Sequence, residues 1–213
     1  MNTVNRSELQ KKYGDERVLV VSTQQLEDSV FNPREGFSIP IVDTRKFLSD
    51  IGFFADRWQV EHNTVIRQPI PYILVKSKGR FFATKRLPGA GEDRLFNKIS
   101  MGVGGHINPE DEDGVRDIFT NGMFRELHEE LWINGKVNDW KFTGVINDKT
   151  NPVSQDHIAL VYVVDVGDHE VSVKENDKLD GKFYSIQELL DHHDQLESWS
   201  QILLEMIVRG YIK

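Results

Sequence analysis

The stretch Arg125-Glu126-Leu127-His128-Glu129-Glu130-Leu131 constrains this chain more than any other part of its sequence. If the stretch is helical, its three glutamates stand at positions i, i+3 and i+4, which places three carboxylates on one face within a single turn. Like charges at that spacing repel one another, so the pattern indicates a bound cation. Oxygen ligands suit Mg2+ or Mn2+. A solvated helix face, with the two leucines toward the core, is the alternative that spacing alone leaves open.

A second feature, Gly104-Gly105-His106, precedes the glutamates. Together the two stretches resemble the Nudix hydrolase box, which reads Gly, five residues, Glu, seven residues, Arg-Glu, an aliphatic, any residue, Glu-Glu, any residue, Gly, an aliphatic. Gly105 is similar to the opening glycine, and residues 125–131 match the second half without a gap.

The match departs from the family pattern in three places. Gly105 and Arg125 are 125 − 105 = 20 positions apart instead of the family's fourteen, so the loop 108–114 is predicted to hold six extra residues. Asp117, eight positions before Arg125, replaces a glutamate and could pair with that arginine. Trp132 replaces the closing glycine, and because Asn134-Gly135 follows, the helix is expected to run slightly longer.

The resemblance implies a metal-dependent hydrolase that cleaves a diphosphate linkage in a nucleoside diphosphate derivative by attack of a metal-activated water. It implies that Mg2+ (or Mn2+) is held by Glu126, Glu129 and Glu130 with the Gly105 carbonyl. The catalytic residues implied are Glu129, Glu130 and Arg125, with Arg125 orienting a helix carboxylate or binding Asp117.

Three points of the chemistry stay open. The general base is Glu129, Glu130 or a distant acid, for which Glu170 and Glu175 are candidates. His106 could contact phosphate or be an exposed loop residue. A catalytically inactive Nudix-like nucleotide sensor and an interaction protein with an ordinary acidic helix are the alternative functions.

The order of predicted strands and helices fits an α+β class with a mixed β-sheet between helices. The resemblance implies that this arrangement is the α/β/α sandwich of the Nudix fold. The predicted division is an N-terminal extension, residues 1–67, and a hydrolase domain, residues 68–213. Predicted strands are 18–21, 72–75, 81–84, 140–146, 157–164 and 181–185. One helix is predicted to follow Asp43 as its N-cap and another to follow Ser185, and a third is predicted over 197–209. Residues Gly89 to Asp93 are expected to form a plain loop.

The helix that carries the glutamates is predicted to begin near Asp113 or Gly114. Its core-facing positions are predicted to be Val115, Ile118, Phe119, Met123, Leu127 and Leu131. Gly122 lies on the carboxylate face four residues before Glu126. Because glycine costs a helix roughly 1 kcal/mol relative to alanine, its presence there predicts a close approach by the glycine loop.

The composition excludes several kinds of site and makes some partners unlikely. The chain has no cysteine, so disulfides, thiolate zinc sites and cysteine nucleophiles are excluded. A net charge of −8 gives no broad basic surface, so nucleic acid is an unlikely partner. No apolar run approaches the ~20 residues that span a bilayer, and the first eight residues lack an apolar signal core. Cytoplasmic localisation is therefore expected. The resemblance implies a small-molecule nucleoside diphosphate derivative as substrate and a possible homodimer.

Overall fold

The computed structural model describes residues 5–29, 33–40, 42–87, 98–137, 139–150 and 154–213. The helices in these ranges are α1 Arg6–Tyr13, α2 Thr23–Glu27, α3 Thr44–Ile51, α4 Arg57–Val60, α5 Ile118–Glu130, α6 Ile186–Asp191 and α7 Ser198–Val208. The strands are β1 Arg17–Ser22, β2 Gly36–Ser38, β3 Phe53–Asp56, β4 Ile66–Ser77, β5 Arg80–Arg86, β6 Ile99–Ser100, β7 Gly102–Val103, β8 Leu131–Ile133, β9 Asp139–Asn147, β10 His157–Asp165, β11 Val171–Val173 and β12 Leu179–Tyr184.

Ten strands form one mixed sheet, whose main path runs β12-β5-β4-β10-β9-β2. Strands β1, β3, β6 and β7 pair off this path, and β8 and β11 form a separate two-stranded sheet. Strands β4 and β10 are buried along nearly their whole length, as expected of strands covered on both faces. The predicted α+β class is therefore confirmed.

The chain divides into two compact units. The first unit comprises Met1–Pro71, Gly105–Gly122 and Gly144–Leu160. In it, β1 pairs antiparallel with β3 and with the first residues of β4, and β2 pairs with the end of β9. Asp43 caps α3 as predicted, because its side chain accepts a hydrogen bond from the Lys46 N–H.

The second unit comprises Tyr72–Gly104, Met123–Thr143 and Val161–Lys213. Its core includes a polar cluster in which the Tyr72 hydroxyl lies 2.9 Å from Ser100, 3.0 Å from Glu197 and 3.1 Å from Ser200. A Cβ at Gly102 would lie 2.3 Å from the Tyr72 ring, so this glycine permits a strand to pass directly over an aromatic side chain. The capping box of Ser185 is confirmed at the start of α6.

Two expectations about the glutamate helix are wrong. The helix begins at Ile118, not near Asp113, and Val115 is 84% exposed instead of buried. The other five predicted core positions are buried. The helix also ends at Glu130 and does not run on, because residues 131–133 form β8, which pairs with β11 some forty residues later.

The predicted loop from Gly89 to Asp93 lies outside the described residues. Among the helices that the structure does describe, none combines the length and apolar character that crossing a bilayer requires.

Candidate active site

Helix α5 carries the three glutamates in its last two turns, so the predicted spacing on a single helical face is present. Leu127 is fully buried between them and fixes which side of the helix faces the core. Glu126 is only 8% exposed, Glu130 is half-buried and Glu129 is exposed. The carboxylates therefore extend from the protein interior to its surface.

Arg125 supplies positive charge to this face. Its Nη1 lies 2.6 Å from Oε1 of Glu126 and 3.0 Å from Oε2 of Glu129. Of the two roles predicted for this arginine, orienting helix carboxylates is therefore observed. Charge-assisted hydrogen bonds of this kind fix carboxylate orientation more firmly than neutral ones.

The charges on the face are only partly compensated. Burial raises the pKa of Glu126 to about 7, and although Arg125 opposes this rise, the negative charges of Glu129 and Glu130 add to it. Burial likewise raises the pKa of Glu130, with the charge of Glu175 next in the same direction and Arg86 opposing it. The buried carboxyl of Glu126 and the half-buried carboxyl of Glu130 thus have little positive charge beside them, a condition that a bound cation would relieve.

The end of α5 is anchored by the strand that pairs with β8. The backbone N–H of Lys174 donates to the Glu130 carbonyl at 2.9 Å, and its Nζ donates to the His128 carbonyl. Both bonds satisfy carbonyls that the last helical turn leaves without helical partners. Glu175, one of the two distant acids considered as a general base, directly follows this anchor and forms an ion pair with Lys178 at 3.0 Å.

Gly105 lies in the first unit, at the start of a loop held by β1. The Leu19 N–H donates to the Ile107 carbonyl at 2.8 Å, and the Asn108 side chain donates to the Arg17 carbonyl at 2.9 Å. The loop passes close to helix α5 as predicted, because a Cβ at Gly122 would lie 2.3 Å from Cδ1 of Ile107.

Asp111 is a residue that the sequence interpretation missed. It is 4% exposed, and its Oδ2 accepts a hydrogen bond from the Asn108 N–H at 2.9 Å. Asp111 stands six positions after Gly105, which is the spacing of the box glutamate counted forward from the glycine. Counted backward from Arg125, the position of the box glutamate is that of Asp117 instead. The extra residues are therefore 112–117, all of which are exposed.

Asp117 has a different role from the one its spacing suggested. Its carboxylate accepts hydrogen bonds from the Thr120 N–H at 3.0 Å and the Thr120 hydroxyl at 2.5 Å, as an N-cap residue does at the start of a helix. The same carboxylate lies 3.1 Å from Nη1 of Arg45. Asp117 therefore fixes the beginning of α5.

A second group of possible metal ligands, Glu61, His62 and Asp156, lies in the first unit with ligand atoms within 4.8 Å of one another. A basic side chain lies close to each of two of its carboxylates. Glu61 lies 3.4 Å from Nε of Arg57, and Asp156 lies 2.9 Å from Nδ1 of His157. Burial alone would raise the pKa of Asp156, but His157 and the His62 N–H together hold it below its ordinary value. The pKa of the buried aspartate in this group is therefore shifted in the opposite direction from those of Glu126 and Glu130.

Comparison with known proteins agrees with the fold. No family model matches the chain. The solved structure of Tm1382, assigned to the Nudix hydrolases, superimposes with a TM-score of 0.77 and 29% identity over 92% of this chain and 99% of Tm1382. The chain belongs to the Nudix hydrolase superfamily. The predicted α/β/α sandwich and the enzyme class, a Nudix-type pyrophosphohydrolase, are confirmed with it.

One curated protein is similar in sequence over most of this chain. Protein YmaB of Bacillus subtilis (strain 168) is 36% identical over 156 residues, which is 71% of this chain and 76% of YmaB. A bifunctional NMN adenylyltransferase/ADP ribose pyrophosphatase of Francisella tularensis, solved with AMP and a manganese ion, shares the fold at a TM-score of 0.51 and 15% identity. That match covers 68% of this chain and 42% of the Francisella protein.

Proposed function

We propose that this protein is a metal-dependent hydrolase that cleaves a diphosphate linkage in a small nucleoside diphosphate derivative. The observation that carries the proposal is the placement of Glu126, Glu129 and Glu130 on one face of α5. Glu126 is buried and Glu130 half-buried there, which raises the pKa of both carboxyls. Since burying uncompensated like charges costs stability, their retention points to a function that needs them. The manganese ion and AMP in the Francisella structure are in keeping with this class of ligand.

The donor set fits Mg2+ or Mn2+, because it consists of oxygen atoms on one helix face. Glu126, Glu129 and Glu130 would hold the ion, with the Gly105 carbonyl proposed as a further ligand. A bound ion would neutralise diphosphate charge and lower the pKa of a coordinated water. The division into an extension, residues 1–67, and a hydrolase domain, residues 68–213, belongs to the same proposal, as do cytoplasmic localisation and a homodimer.

Side chains of α5 and of residues near its end would orient the carboxylates and accept the proton from the attacking water. Arg125 holds Glu126 and Glu129 in fixed orientation through the two contacts described above. Glu129 is the exposed member of the set, and we propose that it receives the proton from the attacking water. Glu175 is the second candidate for that role, since its charge acts on Glu130.

The test is release of monophosphate products from ADP-ribose, nucleotide sugars, dinucleoside polyphosphates, NADH and nucleoside triphosphates, each with Mg2+ or Mn2+. Glu129→Gln and Glu130→Gln are measured beside the parent protein. Glu205→Gln, an exposed helix carboxylate of the same unit, is the matched control. We expect turnover that the two α5 variants lose and the control keeps. Nucleotide binding without any turnover would instead identify a sensor.

A further inference from the structure

The group of Glu61, His62 and Asp156 in the first unit offers a different donor chemistry from the three glutamates of α5. Each member contributes one possible ligand atom, and these atoms lie within 4.8 Å of one another. Two of the atoms are carboxylate oxygens and the third is an imidazole nitrogen. Imidazole is a ligand of Zn2+ and neighbouring transition metals, whereas Mg2+ takes oxygen ligands. The donor set therefore suits Zn2+.

Asp156 is the most buried member of the group, and one of its oxygens has no hydrogen bond. The side chain is 1% exposed, and its Oδ2 accepts a hydrogen bond from the His62 N–H at 2.6 Å, within the group itself. Oδ1 is buried and has no hydrogen-bond partner. Nδ1 of His157 lies 2.9 Å from Oδ1, but the pair lacks the geometry of a hydrogen bond. Because buried charged oxygens are normally hydrogen-bonded or bound to a metal, a cation held by this carboxylate would supply the interaction that Oδ1 lacks.

The second carboxylate, that of Glu61, is only weakly paired. Glu61 is 8% exposed, and its Oε2 lies 3.4 Å from Nε of Arg57. The same guanidinium makes shorter bonds to Glu16, whose Oε1 and Oε2 lie 3.0 and 3.1 Å from Nη1. Since hydrogen bonds weaken with length, Arg57 is mainly the partner of Glu16. Glu61 therefore retains negative charge for a bound cation.

His62 is the exposed member of the group and brings its two segments together. The backbone turns at this residue, which has a left-handed φ of 60° just after the end of α4. Asp156 lies ninety-four positions later and directly precedes β10. An ion bound by the group would thus link two distant segments of the first unit. Because the His62 side chain is exposed, a coordination position would stay open to water.

We propose that Glu61, His62 and Asp156 bind a Zn2+ ion, which joins the turn after α4 to the start of β10 and stabilises the first unit. Three protein ligands with a water in the fourth position is a common coordination of Zn2+. The ligand atoms of one Zn2+ ion lie roughly 3–4 Å apart, and rotation of the exposed His62 ring would close the remaining distance. The site shares no ligand with the three glutamates of α5 and does not depend on the proposed hydrolase function.

The experiment measures Zn2+ binding by isothermal titration calorimetry to the full chain with the three glutamates of α5 replaced by glutamine. We expect this chain to bind one Zn2+ ion. Adding His62→Asn should raise Kd for Zn2+ at least about tenfold, because even substitutions behind a metal ligand cost about that much. Asparagine keeps the backbone N–H that Asp156 accepts, and it tolerates the left-handed φ. Absence of Zn2+ binding before His62 is changed would overturn the proposal.

The matched control is His193→Asn in the same chain. His193 is also an exposed histidine beside an aspartate, since its Nδ1 lies 3.6 Å from Oδ1 of Asp194. This control should bind Zn2+ as tightly as the chain without it. Equal affinities in the His62→Asn and His193→Asn variants would overturn the assignment of the site.

Thermal unfolding gives a second readout. At a Zn2+ concentration about 100 times Kd, Tm should rise by roughly 5–10 °C, because an ion that binds only the folded state stabilises it. His62→Asn should lose that rise, and a rise that persists in this variant would overturn the proposal. If the glutamine-substituted chain does not fold, the parent replaces it. The number of Zn2+ ions bound should then fall by one in His62→Asn, and an unchanged number would overturn the proposal.

The outcomes separate this inference from the proposed function. Zn2+ binding that His62→Asn weakens, in a parent that hydrolyses no diphosphate, would overturn the hydrolase proposal and support the Zn2+ site. Hydrolysis with Mg2+ or Mn2+, together with Zn2+ binding that His62→Asn leaves unchanged, would overturn the Zn2+ site alone.

Discussion

The acidic face of α5 and the Asp156 group have similar composition but opposite electrostatics. On the acidic face, comprising Glu126, Glu129 and Glu130, burial and mutual repulsion raise the pKa of two carboxyls. In the Asp156 group, comprising Glu61, His62 and Asp156, nearby donors hold the pKa of the buried aspartate below its ordinary value. Both groups could be described as clusters of potential ligands. The comparison shows that two groups with the same kinds of acid differ in the direction of their pKa shifts, because their neighbouring charges and hydrogen-bond donors differ.

The largest expected effect is on catalysis. Glu126→Gln should lower kcat/KM at least about 100-fold, because it removes a proposed metal ligand from the acidic face. Glu61→Gln, at an equally buried carboxylate of the Asp156 group, should change kcat/KM less than about threefold. The measurement is steady-state kinetics with the best substrate of the panel. Equal losses in the two variants would contradict the distinction between the groups.

Stability, in contrast to catalysis, should depend more on the Asp156 group than on the acidic face. Asp156→Asn removes the charge that faces His157 inside the first unit, so the free energy of unfolding should fall by roughly 2–4 kcal/mol. Urea unfolding at pH 7 would measure the change. Lys46→Met, which breaks an exposed ion pair with Asp50, serves as the comparison and should lower the free energy of unfolding much less. A neutral effect of Asp156→Asn would mean that the buried contact contributes little.

The stability of the parent protein should depend on pH through the Glu126 carboxyl, and Glu126→Gln should lack this dependence. The pKa of Glu126 rises from 4.5 to about 7 on folding, so between these values the folded chain keeps a proton that the unfolded chain has lost. Stability of the metal-free protein should therefore fall as pH rises through this window. Above it, Glu126→Gln should be more stable than the parent by on the order of 1–3 kcal/mol. Unfolding series with EDTA at pH 5 and pH 8 would check the sign.

The smallest effect comes from a change of packing that alters no charge. Gly122→Ala introduces a Cβ against the buried Ile107, which should cost about 1–3 kcal/mol, while alanine's helix propensity returns roughly 1 kcal/mol. The net loss of stability is expected to be about 1 kcal/mol. Thermal unfolding would measure it, and a stabilised variant would show that the loop moves aside freely.

The local part of the site was predictable from sequence because helical spacing alone places Glu126, Glu129 and Glu130 on one face. Features set by distant partners were not. The end of α5 depends on β8 pairing with β11, and the ring of His157 contacts that of His106, fifty-one residues earlier. Val115 was misassigned because an apolar residue at helical spacing looks the same whether the backbone is helical or lies in an exposed loop.

The exposed insertion 112–117 has a practical consequence, because the natural chain contains no cysteine. Val115→Cys would give a single thiol at a position that is 84% exposed and carries none of the contacts that support the site. One spectroscopic label could then be attached without any background substitution. A spin label there would report directly, through its relaxation by Mn2+, how far the ion binds from the loop.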